Sequence, residues 1–307
     1  MKRSLKDYIV ISLKGMAMGA ADVVPGVSGG TIAFISGIYE ELLNSISSFN
    51  FSLLKVFRKE GFKQVWKIVN GPFLLALFIG ISVSVLSLAK LIATLLENHP
   101  IVIWSFFFGL VLASIIYIGK QITTWTIGSI LCLILGGILA FYITTLNPMV
   151  SENSSPWFLF LVGMIAICAM ILPGISGSFI LVLLGAYKPV LNALNTRDFF
   201  SIIIFMLGAV VGLVTFSRIL KWLFFTYKNY TLATLTGFII GSLNKIWPWQ
   251  EIISWRTNSK GIEVPLSTTS VSPFSFEGDP QLMTAILLAT IGFGLILLLE
   301  KLAVKKD

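Results

Sequence analysis

The sequence predicts an all-α integral membrane protein built as an inverted structural repeat, each half a re-entrant helical hairpin plus three transmembrane helices. Three observations carry this. The 307 residues are 56% hydrophobic and only 12% charged, about half the charge of an ordinary soluble domain, and several apolar runs exceed the ~20 residues that cross a bilayer. The run Val24-Pro25-Gly26-Val27-Ser28-Gly29-Gly30 returns 148 residues later as Leu172-Pro173-Gly174-Ile175-Ser176-Gly177-Ser178, and Gly15–Asn44 aligned on Gly163–Asn192 gives 12 identities in 30 positions. Three crossings per half is an odd number, so the second half starts from the opposite face.

The first repeat occupies residues 1–150. Its hairpin, 7–44, is interrupted at Pro25-Gly26. As helices, 7–21 and 28–44 measure about 22 and 25 Å at ~1.5 Å per residue, past the middle of a ~30 Å core but short of spanning it, which predicts a re-entrant hairpin. A basic stretch over 51–70 carries Lys55, Arg58, Lys59, Lys63 and Lys67. Its apolar stripe (Leu54, Phe57, Phe62, Val65, Trp66, Val69) predicts a helix lying on the membrane surface. Spans follow at 73–96, 101–119 and 123–145. The second repeat, 151–307, has its hairpin at 156–195, spans at 201–225 and 231–247, a loop over 248–280, and a last span at 281–302. A weaker match extends the repeat: Gly80, Lys90, Gly109 and Ser114 answer to Gly208, Arg218, Gly237 and Ser242.

Charge fixes the expected orientation. With the N-terminus inside, fourteen Lys and Arg fall on inner flanks and four, Lys188, Arg197, Arg256 and Lys260, on outer ones. That bias puts both termini in the cytoplasm and the 248–280 loop outside. The opening residues resemble a weak signal peptide, but Lys14 interrupts the apolar run and 15–21 belong to the repeat, so they are expected in the mature chain. The net charge of +8 is therefore orientation information and not a nucleic-acid footprint.

A Pro-Gly break at membrane depth is costly unless it lines a cavity or packs on protein, and paired breaks point to a transport site. Ser28 and Ser176 are candidate helix N-caps. Gly29, Gly30 and Gly177 allow close approach to the backbone, and Thr31 and Ser178 add hydroxyls. Two such tips meeting would favour an anion, phosphate above all. Lys90 and Arg218 hold corresponding positions late in a span. They are expected either to supply positive charge to a phosphate or to snorkel to the interface. Asp22, whose counterpart is Met170, and the pair Glu40 and Glu41 are candidates for proton coupling; Asp22 would otherwise bond hairpin amides. Lys245 is a further candidate ligand beside Trp247 and Trp249, which suit an interfacial anchor. Cys132 and Cys168 read as packing residues, His99 is the single histidine, and neither a metal nor a cofactor is implied. No nucleotide-binding loop is present, so transport would be passive or ion-coupled.

Gly15 through Thr31, the second motif Leu172 through Ser178, and Lys245-Ile246-Trp247-Pro248-Trp249 together resemble the bacterial polyprenyl-phosphate transporter family PopT, formerly a domain of unknown function. The resemblance spans nearly the whole chain. It implies a carrier that returns undecaprenyl phosphate from the outer to the inner leaflet of the plasma membrane, sustaining envelope synthesis, with membrane lipids as its surroundings. Two other readings stand beside it. Membrane-embedded undecaprenyl pyrophosphate phosphatases also look like inverted repeats with Pro-Gly-x-Ser tips, but carry an arginine after the serine, where this chain has Gly29 and Gly177. A small-anion transporter would use the same tips.

Overall fold

Both halves of the chain open with a helix that ends at a Pro-Gly pair. The structure, a computed structural model, describes residues 3–24, 26–50, 52–149, 155–257 and 263–304. Lys2, Pro25, Lys260, Lys305, Lys306 and the boundary at 150/151 lie outside these, as do the side chains of Arg256 and Lys301. The first half runs α1 (Leu5–Val23), α2 (Gly29–Ile35), α3 (Tyr39–Ser47), α4 (Ser52–Glu60), α5 (Phe62–Ile68), α6 (Gly71–Asn98), α7 (Pro100–Lys120) and α8 (Ile127–Thr145). The second runs α9 (Pro156–Ile171), α10 (Gly177–Leu183), α11 (Tyr187–Thr196), α12 (Phe199–Thr226), α13 (Lys228–Ser242), a 3₁₀ turn (Leu243–Ile246), β1 (Gln250–Thr257), β2 (Glu263–Ser270) and α14 (Leu282–Val304).

The hairpins follow from local chemistry. α1 starts on a capping box: Ser4 Oγ accepts from the Asp7 amide and the Asp7 carboxylate accepts from the Ser4 amide at 2.8 Å. Val24 and Leu172 each precede a proline, which excludes the helical conformation, and both are extended, with ψ of 119° and 131°. Gly26 and Gly174 then turn the chain at φ +81° and +90°, a region open to glycine. Where one continuous helix was expected over 28–44, the structure breaks the chain again at Gly37. The Gly37 amide bonds to the Phe34 carbonyl and the Ile38 amide to that of Ala33, closing α2. Gly185 does the same for α10, and α11 leaves at 105° to it. Helices of seven residues, about 10 Å long, cannot cross a bilayer.

Four expected spans, α6, α7, α8 and α12, are long and apolar enough to cross a membrane, and Leu282–Leu298 of α14 is a shorter apolar helix. The expected span over 231–247 is instead the 15-residue α13 and its 3₁₀ turn. Ten of the α13 residues are buried, making it an interior helix that needs less hydropathy than a lipid-facing one. The surface helix over 51–70 is divided at Gly61 (φ +78°) into α4 and α5, with Leu54, Phe57 and Phe62 exposed. The structure is mostly helical, as expected of an all-α membrane protein, with one addition: β1 and β2 pair antiparallel within the 248–280 segment. β-branched residues recur there (Ile252, Val264, Thr268, Thr269) and suit a pleated ribbon.

Helix packing repeats between the halves. α1 packs on α6 and α9 on α12, while α7 packs on α14 and α13 on α8, so the last helix of each half crosses to the other. The contacts coincide residue by residue. A Cβ at Gly80 would collide with the Ser12 carbonyl, and one at the matching Gly208 with that of Phe160. Likewise Gly109 abuts Ala289 of α14, and its counterpart Gly237 abuts Leu133 of α8. Small residues let membrane helices approach backbone to backbone.

The bundle has two distinct ends. At one, Arg3 pairs with Glu41 (2.6 Å), the Asn70 amide donates to Glu41 (2.7 Å), Lys228 pairs with Glu40 (3.0 Å) and Asn229 bonds Thr123. At the other, Thr144 donates to Asn244 (2.9 Å), the Met149 amide donates to the Leu183 carbonyl (2.9 Å), and Ile101 packs with Trp249 and Ala285. Between them, large apolar side chains such as Phe78, Leu86, Leu135 and Met206 face outward.

Candidate functional site

The two hairpin tips meet. The last turn of α9 ends in carbonyls that no helical amide can reach, and the first hairpin supplies their donors. Ser28 Oγ lies 3.2 Å from both the Met170 and Leu172 carbonyls, and Tyr39 donates its hydroxyl to the Ile171 carbonyl at 3.1 Å. In return the Gly174 amide donates to Thr31 Oγ1 at 3.0 Å. Gly30 must be glycine for this contact, because a Cβ there would stand 2.5 Å from the Ile171 carbonyl oxygen. Ser28 and Thr31 are each 1% exposed, so these bonds form in low dielectric, where an unmade one is expensive.

The first tip is closed upon itself. The Gly29 amide donates to the Asp22 carboxylate at 2.7 Å and the Gly30 amide to Ser28 Oγ at 3.1 Å. Asp22 thus places a carboxyl of the protein's own at the start of α2. The second tip lacks that carboxylate, since Met170 stands in its place. Ser176 makes no capping bond to the backbone; its Oγ lies 2.8 Å from that of Ser178, which is exposed.

Lys245 stands beside both tips. Its Cγ would be 3.0 Å from a Cβ at Gly26 of the first, and its ammonium lies 5.2 Å from the ring centre of Phe179 of the second. Among the described residues no carboxylate pairs with it. The sequence marks Lys245 as a candidate ligand at the head of a tryptophan-rich segment, without placing it between the tips. Tyr39 was missed as a site residue, although its match to Tyr187 in the repeat was a usable signal.

Other expected site residues lie elsewhere. Lys90 is exposed on α6. Arg218 donates from Nη2 to the Phe49 carbonyl at 2.6 Å and from Nε to that of Ser47 at 3.4 Å, beyond the end of α3. Glu40 and Glu41 are held by Lys228 and by Arg3 with Asn70 at one end of the bundle. Of the twelve expected site residues, the structure therefore gathers Asp22, Ser28, Gly29, Gly30, Thr31, Ser176, Gly177 and Ser178 at the tips and leaves Lys90, Arg218, Glu40 and Glu41 outside. Among the described residues no His, Cys, Asp or Glu cluster is arranged to hold a metal.

The family model described as "VCA0040-like: Undecaprenyl phosphate translocase-like" matches residues 18–264. A protein of Vibrio cholerae named polyprenyl-phosphate transporter is 52% identical over 303 residues, covering 97% of this chain and 98% of its own. A protein of Staphylococcus aureus with the same name is 33% identical over 262 residues, covering 79% of this chain and 88% of its own. Both relatives are named as transporters and not as enzymes. No solved structure matches. With both tips inside the matched residues, the chain belongs to the VCA0040-like, undecaprenyl phosphate translocase-like family.

Proposed function

We propose that the protein carries polyprenyl phosphate, in bacteria undecaprenyl phosphate, from the outer to the inner leaflet of the plasma membrane, returning carrier lipid for envelope synthesis. The names of its relatives support the cargo, and the meeting of two polar tips between apolar helices supports a site for a charged headgroup. The observation that carries the reading is Lys245, placed beside both tips with no carboxylate partner among the described residues.

On this reading the halves are an inverted repeat and each hairpin is re-entrant. Supporting this, each hairpin mouth lies with the loops of a different end of the bundle while the tips touch. The end holding Arg3, Lys120 and Lys228 is cytoplasmic by its basic flanks. The headgroup binds at the second tip. Lys245 neutralises the phosphate and Ser176 and Ser178 donate hydroxyl bonds, while Gly177 lets α10 pack against the Ala166 carbonyl of α9. The first tip is the buried socket, with Asp22 occupying its helix start in place of substrate. Burying one phosphate uncompensated would cost several kcal/mol or more. The site lowers that barrier while the polyprenyl tail stays in lipid.

Closed and open tips in a two-fold scaffold fit one end of an alternating-access cycle. Lys245 lies toward the end that charge assigns to the outside, so this state would accept cargo from the outer leaflet. The hydrolase reading gains no support, because Glu40 and Glu41 sit in ion pairs away from the tips. Leaflet exchange of labelled polyprenyl phosphate in proteoliposomes tests the proposal. Wild type should accelerate exchange, Lys245→Gln and Ser176→Ala/Ser178→Ala should slow it about ten-fold or more, and Lys245→Arg should recover part. Exchange unaffected by all of these variants would contradict the site, and no exchange by folded wild type would contradict the function.

A further inference from the structure

Away from the tips, a cavity of about 610 Å³ lies between α3, the last turns of α12 and the start of α13. Arg218, Lys221 and Lys228 line it against the single carboxylate of Glu40. Arg218 is fixed there by the carbonyls of Ser47 and Phe49, and Lys228 by Glu40 at 3.0 Å. Lys221 is exposed and carries no such bond among the described residues. Two positive charges therefore remain in excess. Trp222 and Phe225 also line the cavity and are 56% and 93% exposed, an aromatic rim of the kind that sits at headgroup depth. The volume falls within the ~300–1,000 Å³ of small-ligand sites.

We propose that this cavity is a second site for a lipid phosphate monoester, at the end of the bundle opposite Lys245, with Arg218 and Lys221 on the phosphate and Trp222 and Phe225 against the first isoprene units. It rests on the carrier reading, in which it holds the headgroup after passage and before release into the inner leaflet. Lys221 is the cation left for an incoming ligand, because Arg218 is oriented by backbone and Lys228 is neutralised by Glu40. A dianion here replaces no existing partner. The exposed rings face the side from which an isoprenoid tail arrives.

The test is equilibrium binding of radiolabelled farnesyl phosphate to the full chain in nanodiscs of neutral lipid, with farnesol and inorganic phosphate as competitors. Wild type should bind two equivalents. Lys221→Gln should weaken one about ten-fold or more with an unchanged melting temperature, and Lys221→Arg should restore it. Lys245→Gln should weaken only the other. Farnesol and inorganic phosphate should each displace poorly. One equivalent that Lys245→Gln weakens and Lys221→Gln does not would overturn the second site while sparing the first. Equal displacement by inorganic phosphate would overturn the lipid assignment. Absence of saturable binding by folded wild type would overturn the carrier reading together with it.

Discussion

Ser28 shows how one hydroxyl ties the two halves together: it accepts from Gly30 and faces two carbonyls of the other half. Ser28→Ala is expected to cost about 1–3 kcal/mol, combining a lost N-cap with unpaired buried carbonyls, read as a lower melting temperature in lipid nanodiscs. Asp22 makes a sharper contrast. Asp22→Asn keeps an oxygen for the Gly29 amide and should leave the melting temperature nearly unchanged, whereas Asp22→Ala strands a buried donor and should lower it by a similar ~1–3 kcal/mol. Equal effects of the two would contradict the capping role. At this scale the sequence was informative where a residue's partner is near in the chain. Asp22 and the Ser28 cap could be read from their neighbours, whereas Ser176, expected as an N-cap, meets the hydroxyl of Ser178 instead. Lys245 stands out in the sequence as a candidate ligand, but its place between Gly26 and Phe179 does not, because it depends on the folding of segments far apart. Arg218 was drawn toward the tips because its depth in a span is legible while the side of the helix it occupies is not.

Among the elements, the glycines matched in the repeat sit at the helix crossings. Gly80 and Gly208 align in the repeat because each meets a carbonyl of a neighbouring helix, and helices without bulky side chains at the crossing come closest. Gly80→Leu and Gly208→Leu should each destabilise by about 1–3 kcal/mol or more through overpacking. Gly119, with open space around it, should tolerate Ala, gaining roughly 0.5–1 kcal/mol from helix propensity. Thermal unfolding of the three variants checks the ranking, and destabilisation by Gly119→Ala equal to that of the leucines would count against it. For α4 and α5, nitroxides at Leu54 and Phe57 should be more accessible to oxygen than to a water-soluble relaxant if the pair lies on the membrane; the reverse would make it a solvated arm. The sequence placed long spans within a few residues because hydropathy reports length directly. It overlooked the breaks at Gly37 and Gly61, since a lone glycine does not announce a turn. It missed the β1–β2 ribbon because that segment was treated only as a polar connection.

Across the whole molecule, the proposed anion site lies where two breaks 148 residues apart meet, each on a short helix supported by long ones. The repeat was legible in sequence because both copies need the same Pro-Gly turn. The asymmetry of the tips was only half legible: the pairing of Asp22 with Met170 signalled that they differ, but not that the amides of Gly29 and Gly30 are capped by side chains in the first while Ser176 makes no capping bond in the second. The most direct test is photo-crosslinking of a polyprenyl phosphate with a diazirine on its first isoprene unit to the reconstituted full chain, with adducts mapped by mass spectrometry. The account predicts adducts on 176–179 and around Lys245, suppressed by excess polyprenyl phosphate and not by polyprenol. Adducts confined to the outward faces of α6, α8 and α12, or suppressed equally by polyprenol, would contradict it.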